Sequence, residues 1–326
     1  MNKIHDCLVS VVVPLYNESA GLQKFHESLL AAIRSSAKDS YEVIYCDDGS
    51  IDATADTVRQ FCRQNDKIKL VQLSRNFGKE YALSAGIAQA NGQVVIMLDG
   101  DGQHPANLIP KFVAAWQDGA EVVVGVSTNR RSEGFTKRIG SRVFYRAFNT
   151  LTGQKLISGM TDFRLITKPV QEAFLQLDET DRITRGLIDW LGFKRVYIEY
   201  TENPRESGEP SYSLRSLMKL AANSFVSLSP KPLYIFGYLG VFITTAALML
   251  GSTVFIEQII FDDPLHWKFT GTAMLSILLL FLVGLVLTAQ GILSLYVSHI
   301  HSQTKHRPLY VIDYKNSVGL RRDTNA

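Results

Sequence analysis

Gln93-Val94-Val95-Ile96-Met97-Leu98-Asp99-Gly100-Asp101-Gly102-Gln103 runs from an unbroken apolar stretch straight into two carboxylates around one glycine. A half-exposed strand would alternate apolar and polar residues, so a continuous apolar run of this length predicts a strand buried on both faces. The sudden polarity marks its carboxyl end. Working outward, the same pattern recurs: Leu8–Val13 leads into Tyr16-Asn17-Glu18, Tyr41–Cys46 into Asp47-Asp48-Gly49-Ser50, and Lys69–Leu73 into Arg75-Asn76. Between these runs, Ala20–Ser35, Asp52–Gln64 and Lys79–Ala90 have helical periodicity, with Asp52 expected as an N-cap and Pro105 expected to open a further helix. Glu121–Val124 reads as a fifth strand. Alternating strands and helices of this kind predict an α/β, Rossmann-like domain with a mostly parallel sheet covered on both faces. Such sheets bind ligands at the carboxyl ends of their strands, where every one of these polar clusters falls. No G-x-G-x-x-G and no G-x-x-x-x-G-K-[ST] occurs, which removes the main support for dinucleotide and P-loop readings.

The 326 residues allow two or three units, and their 46% hydrophobic content excludes a largely disordered chain. Three cysteines, Cys7, Cys46 and Cys62, exclude a disulfide scaffold and fit a reducing compartment. A net charge of +3 with no basic patch interleaved with aromatics gives no reason to expect nucleic acid as a partner.

The second half differs in kind. Leu233–Ile256 and Phe269–Ser298 contain no Asp, Glu, Lys, Arg or His. Runs above about 18 uncharged residues are rare in soluble cores, so two transmembrane helices, about 233–260 and 269–298, are expected in preference to a buried helical hairpin. Arg215, Lys219 and Lys231 precede the pair, Lys305, Arg307 and Lys315 follow it, and the connection carries Glu257, Asp262 and Asp263 against Lys268. The positive-inside rule then leaves residues 1–210 and a basic tail, 299–326, in the cytoplasm. No signal-peptide pattern opens the chain. Within 211–232, Leu214, Leu217, Met218, Ala221, Phe225 and Leu228 share a helical face, giving an amphipathic juxtamembrane segment expected on the inner leaflet rather than on the domain surface. Gly237, Gly240, Gly284 and Gly291 allow close helix packing, from which a homo-oligomer is expected. His299, His301 and His306 are read as solvated, since no carboxylate or cysteine joins them.

At the strand ends, two carboxylates as close as Asp99 and Asp101 repel each other unless a cation neutralises them. Hard oxygen donors favour Mg²⁺ or Mn²⁺, with Gln103 adding a neutral oxygen; a solvated Asp-Gly turn is the alternative. Asp47 and Asp48 suit a base or ribose, or else local capping. Arg75 and Lys79 suit a diphosphate, or else a surface ion pair.

The ordered set Val13-Pro14-Leu15-Tyr16-Asn17-Glu18, Asp47-Asp48-Gly49-Ser50-Ile51-Asp52, Ser74-Arg75-Asn76-Phe77-Gly78-Lys79-Glu80 and Asp99-Gly100-Asp101-Gly102-Gln103 resembles a family 2 inverting glycosyltransferase of the GT-A fold. Thr161-Asp162-Phe163-Arg164-Leu165, Arg185-Gly186-Leu187 and Trp190-Leu191-Gly192-Phe193 resemble the polyprenyl-phosphate branch, which includes dolichol-phosphate mannose synthases and undecaprenyl-phosphate glucosyltransferases. The resemblance implies a nucleotide-diphosphate sugar donor, UDP- or GDP-linked, a polyprenyl phosphate acceptor, and Mg²⁺ or Mn²⁺ as cofactor. It places Pro14, Tyr16, Glu18 and Asp48 around the nucleoside, and Asp99, Asp101 and Gln103 at the metal, with Asp101 and Gln103 as direct ligands. Lys137, Arg138 and Ser141 would receive the acceptor phosphate. Arg205 and Gly208–Tyr212 would close over the diphosphate. Two cations common in the family are missing here: Ser127 stands where an arginine is usual, with Arg130 and Arg131 displaced downstream, and the 208–212 loop has no lysine. Asp162 is expected either to orient Arg164 or to assist the acceptor, the first being favoured. The expected location is a bacterial inner membrane. A processive synthase is disfavoured because no Gln-x-x-Arg-Trp motif and no further spans occur. A transferase for a soluble glycan or protein acceptor and a non-catalytic nucleotide-binding membrane subunit are the competing functions.

Overall fold

In the computed structural model, residues 9–37, 40–128, 160–179, 182–201, 242, 245, 249, 271–304 and 307–320 are described. The chain divides into one unit of residues 1–143, 156–211 and 307–326 and a second of residues 144–155 and 212–306.

The first unit is organised by β1 (Val9–Leu15), whose residues are all buried. Val9, Val11, Val13 and Leu15 join one apolar cluster and Val12 joins the other, so the strand is covered on both faces as its unbroken apolar run requires. β2 (Tyr41–Asp47) and β4 (Val94–Met97) pair with it in parallel on either side, and β3 (Ile68–Gln72) pairs in parallel with β2. The connecting helices α1 (Leu22–Ala37), α2 (Thr54–Gln64) and, after a 3-10 turn at Ala106–Leu108, α4 (Ile109–Gln117) bury Leu22, Leu29, Val58, Phe61 and Phe112 on the first face. α3 (Lys79–Gln89) covers the other.

The parallel run is then broken. β6 (Met160–Thr167) lies between β4 and β5 (Val122–Ser127) and is antiparallel to both. The helices α5 (Lys168–Leu175) and α6 (Thr184–Trp190) follow, and β7 (Arg195–Tyr200) closes the sheet beside β5, giving the order β3-β2-β1-β4-β6-β5-β7. The expected elements are present with ends shifted by up to three residues, as in α1, which is Leu22–Ala37 rather than Ala20–Ser35, and β5, which is Val122–Ser127 rather than Glu121–Val124; two further helix starts differ in their capping. The cap position of α2 is Ala53, while Asp52 accepts the Thr54 N–H from just outside the helix (3.0 Å). Pro105 precedes the 3-10 turn, and Pro110 occupies the first turn of α4. Proline suits both places because neither needs its N–H.

The segment 299–326, expected as one basic tail, divides. Residues 307–320 return to the outer edge of β3: Leu70 and Val318 exchange backbone hydrogen bonds (3.0 and 2.9 Å), and Ser74 N–H donates to the Val311 carbonyl (2.9 Å). Tyr310, Ile312 and Leu320 pack on the α3 face of the core. The return covers what would otherwise be an open strand edge.

In the second unit α7 (Gly271–Gln303) is a single helix of 33 residues, spanning most of the expected second membrane segment. Its side chains are described only in part, and over the described residues no helix is long and apolar enough to cross a membrane. The expected transmembrane hairpin is therefore not established by the fold. Of the first expected span only Phe242, Thr245 and Met249 are described, all helical, and the juxtamembrane segment 211–232 lies outside the described residues.

One buried histidine ties stability to pH. His26 of α1 stacks on Phe61 (3.9 Å between centroids) and its Nδ1 lies 2.9 Å from the Tyr45 hydroxyl. Burial, reinforced by Arg34 and opposed by Glu27, pushes it down to about 4. The unfolded chain therefore binds more protons between pH 6.5 and 4, so stability is complete above the unfolded value and is lost as pH falls through that window. At about 1.4 kcal/mol per unit, the full loss comes to roughly 3.5 kcal/mol. Denaturation of the full chain at pH 7 and pH 5 should show a lower midpoint at pH 5. His26→Gln, which does not titrate, should flatten that difference.

Candidate active site

The loops after β1 and β2 are laced together. Asn17 has φ 55°, a conformation that short polar side chains tolerate better than most. Its N–H donates to Ser50 Oγ (3.0 Å) and its side-chain oxygen accepts the Ile51 N–H (3.0 Å). Glu18 N–H donates to Thr54 Oγ1 (2.9 Å), and Ser19 N–H to Asp52 Oδ2 (3.2 Å). Asn17 is thus spent on backbone geometry, whereas Tyr16 is 45% exposed and Glu18 half-buried. Pro14 is buried in β1 opposite Cys46, beyond the last residue that pairs with β4, so its missing N–H breaks no bond on that side.

Asp47 and Asp48 end β2 differently. The fully buried Asp47 accepts the Ser50 N–H on its carboxylate (3.2 and 3.3 Å), a local turn. Asp48 reaches across the sheet edge: its two oxygens accept the N–H groups of Phe77 (2.7 Å) and Gly78 (2.8 Å). Burial pushes both carboxyls up, and those hydrogen bonds partly offset it. The Arg75 guanidinium stacks over the Phe77 ring at 4.0 Å and is exposed. Gly49 makes this approach of the two loops feasible. It has φ 71°, and a Cβ there would lie 2.5 Å from the Arg75 carbonyl carbon and 2.8 Å from the Asn76 nitrogen. Both obstacles are backbone. Gly49→Ala should cost about 1–3 kcal/mol in denaturation and raise KM for a nucleotide substrate, by displacing the loop that Asp48 holds.

At the end of β4, Asp99 N–H donates to His104 Nδ1 (3.1 Å), and the His104 ring stacks on Phe163 (5.4 Å), so His104 is a support for the loop. Asp101 Oδ1 accepts the Gln103 N–H (3.0 Å) across Gly102, whose φ is 76°. Asp101 and Gln103 are half-buried. Asp101 borders a cavity of about 100 Å³ with Glu18, Lys24 and His104.

Strand direction supplies what spacing did not. β6 runs opposite to β4, and their register pairs Met97 with Arg164. Extending it two residues sets Asp162 across from Asp99. Like charges facing each other across a ladder are destabilising. Lys79, the first residue of α3, resolves this by bonding both: its Nζ is 2.7 Å from Asp99 Oδ1 and 2.7 Å from Asp162 Oδ2. Burial lowers the lysine's affinity for its proton, but Asp99 and Asp162 more than reverse that and raise it. Burial likewise pushes Asp162 up, but Lys79, then Arg185 and Arg164, outweigh it and hold that carboxyl at about 2. The next residue, Glu80, is pushed up by burial and by Asp162, and accepts the Thr184 N–H (2.8 Å).

Two expectations change here. Asp162 does not orient Arg164: its hydrogen-bonding partner is Lys79, because β6 presents it to the first turn of α3. Arg164, 1% exposed, instead bonds Asp189 (2.8 and 3.4 Å), the Arg185 carbonyl (3.2 Å) and the Thr161 carbonyl (3.3 Å). It holds α6 from within the core, so it is a supporting residue. Lys79, expected at a diphosphate, is engaged by the two carboxylates. Thr184 and Asp189 carry no motif signal, and Glu80, though it ends the Ser74–Glu80 stretch, gets no role from it, since only tertiary packing gives these three their partners. Arg130, Arg131, Lys137, Arg138, Ser141 and Arg205 lie outside the described residues.

Among the described residues no three His, Cys, Asp or Glu side chains converge as a ready-made cation site. The Asp101 carboxylate and Gln103 amide are hard oxygen donors in one turn. This suits Mg²⁺ or Mn²⁺, which accept few protein ligands and complete their shells with water and substrate phosphate.

Comparison with known proteins gives the class to which the chain belongs. The model of Glycosyl transferase family 2 matches residues 10–173, and the chain belongs to that family of transferases. Its first unit is a Rossmann-like GT-A domain with a mostly parallel sheet. A Synechocystis sp. protein named as an uncharacterized glycosyltransferase is 34% identical over 93% of this chain and 94% of its own. The bactoprenol glucosyl transferase of Shigella phage SfV is 31% identical over 93% of this chain and 97% of its own. Among solved structures, the mannosyltransferase PcManGT from Pyrobaculum calidifontis, in complex with GDP-Man and Mn²⁺, is 19% identical over 91% of this chain and 83% of its own, with a TM-score of 0.47.

Proposed function

We propose that this glycosyltransferase moves one sugar from a UDP- or GDP-linked donor to a polyprenyl phosphate, undecaprenyl phosphate foremost, at the inner leaflet of a bacterial membrane, with inversion at the anomeric carbon. The observation that carries the reading is the sheet edge itself. Asp48, Asp99, Asp101 and Asp162 meet there, and among the described residues neither Asp162 nor His104 is set up as a free base: Asp162 is ionised and paired with Lys79, and the His104 Nδ1 is occupied. A hydroxyl acceptor needs a base to remove its proton. A phosphate monoester is already ionised near neutral pH and needs charge pairing and position instead. The similarity to a bactoprenol glucosyl transferase supports the same acceptor class.

In this reading Tyr16, Glu18 and Asp48 flank the nucleoside, and Arg75 faces the diphosphate. Asp101 and Gln103 hold Mg²⁺ or Mn²⁺, with Asp99 beside them. The ion, when bound, neutralises the charge that develops on the departing diphosphate. A cation is called for because carboxylates outnumber cations along this edge. The Lys79 bridge keeps Asp99 and Asp162 from repelling each other and the incoming phosphates. Arg130, Arg131, Lys137, Arg138, Ser141 and Arg205 are assigned to the acceptor phosphate and the closing loop on family resemblance.

The membrane part of the reading rests on α7, which carries no Asp, Glu, Lys or Arg in 33 residues, or about 50 Å of helix against a hydrocarbon core of about 30 Å. Anchoring the sheet beside a lipid-borne acceptor raises the effective concentration of the reactants. The test supplies labelled UDP-glucose, UDP-galactose, UDP-N-acetylglucosamine and GDP-mannose one at a time to the full chain in lipid, with undecaprenyl phosphate and Mg²⁺ or Mn²⁺. Label from one donor should enter the organic phase and stop with chelator. Label in a water-soluble product, with the lipid ignored, would contradict the acceptor assignment.

A further inference from the structure

Arg185 has no part in the chemistry above, yet the structure fixes it with unusual care. Its carbonyl accepts a hydrogen bond from Arg164 Nη1 (3.2 Å), and the preceding N–H, of Thr184, donates to Glu80 Oε2 (2.8 Å). Arg164 is 1% exposed and its remaining donors go to Asp189 and the Thr161 carbonyl. Burying a guanidinium is costly unless every donor is used. Here the outcome is to hold the first turn of α6 against β6 and α3.

The side chain so held is exposed and, among the described residues, makes no hydrogen bond or ion pair. Thr184, the residue before it, bonds Glu80, the chain neighbour of the Lys79 that pairs with Asp162, so the turn carrying Arg185 lies beside that pair, and Arg185 adds to Lys79 in stabilising the carboxylate. Asp162, however, already has its partner, Lys79, at 2.7 Å. A second cation, rigidly based and open to solvent beside a carboxylate that is already paired, is placed for an anion arriving from outside. The planar fork of arginine matches two oxygens of a phosphoryl group.

We propose that Arg185 binds a substrate phosphoryl group at the β4–β6 edge, with Arg164 and Asp189 as its positioning residues. The proposal rests on the transferase reading above. The phosphoryl group has two sources, the donor diphosphate or the acceptor phosphate monoester, and kinetics separate them.

The test uses the full chain in lipid nanodiscs, with initial rates measured against each substrate in turn. Arg185→Ala should raise KM for one substrate about 10- to 100-fold with a much smaller change in kcat, and Arg185→Lys should fall between it and the parent. Guanidinium chloride at low millimolar concentration should partly rescue Arg185→Ala. A shift in donor KM assigns the diphosphate, and a shift in acceptor KM assigns the lipid phosphate. Arg164→Lys and Asp189→Asn should raise the same KM without rescue. Both KM values of Arg185→Ala within twofold of the parent, with no rescue, would overturn the proposal. Should Arg185→Ala fail to fold, the same criterion applies to Arg185→Lys. If the parent chain turns over no donor, the transferase reading fails separately. Equilibrium binding of UDP, GDP and undecaprenyl phosphate to parent and Arg185→Ala then decides: a tenfold loss for one of them supports the proposal, and equal affinities refute it.

Discussion

Lys79→Met lowers sugar transfer by roughly 100-fold and destabilises the fold, because it leaves two facing carboxylates without their shared cation. Asp99 and Asp162 each have an oxygen 2.7 Å from the Lys79 ammonium. Breaking a fully buried pair costs about 3–5 kcal/mol; Lys79 is 39% exposed at its side chain, so about 2 kcal/mol is the expectation here. The pH dependence identifies the cause. Asp162 is held at about 2 in the folded chain, below its unfolded value, so its contribution is present above about pH 4 and is lost as pH falls through the folded value. The gap in stability between parent and Lys79→Met should therefore be widest near neutral pH and narrow on acidification. Denaturation at pH 7 and at about pH 2 measures it. A gap independent of pH would mean that the lysine stem, not its charge, carries the effect.

Asp101→Ala should abolish transfer more completely, by about 10³-fold, or about 4 kcal/mol in the barrier. Its fold should persist, since Asp101 is only half-buried and its carboxylate accepts the Gln103 N–H within the same turn. Binding of Mn²⁺ in the presence of the nucleoside diphosphate should weaken in parallel, and paramagnetic resonance of the ion reports this directly. Loss of turnover with unchanged Mn²⁺ binding would move the ion away from this turn.

Much of this was legible in the sequence. Unbroken apolar runs such as Val94–Leu98 can be buried only on two sides, which dictates a covered parallel sheet and places Asp48, Asp99 and Asp101 on one edge. What was not legible depends on strand direction. Nothing in Thr161–Leu165 says that its strand enters between β4 and β5 in reverse, yet that reversal brings Asp162 across from Asp99 and recruits Lys79 to both. Arg164 misled for the same reason: two residues from Asp162 along the chain, it is committed to Asp189 on α6. Tail residues 307–320 have no periodicity that announces a sheet edge, because only the open side of β3 gives their backbone partners.

The central claim is a single displacement by a lipid phosphate at this edge, and the anomeric configuration of the product tests it most directly. Full-length protein is supplied with the active donor and undecaprenyl phosphate, the organic-phase product is isolated, and the carbon–phosphorus and proton couplings at the anomeric centre are read by NMR. One inverted configuration, absent with Asp101→Ala, is the predicted result. Retention of the donor's configuration would require two displacements through a covalent intermediate, and would contradict direct attack by the phosphate.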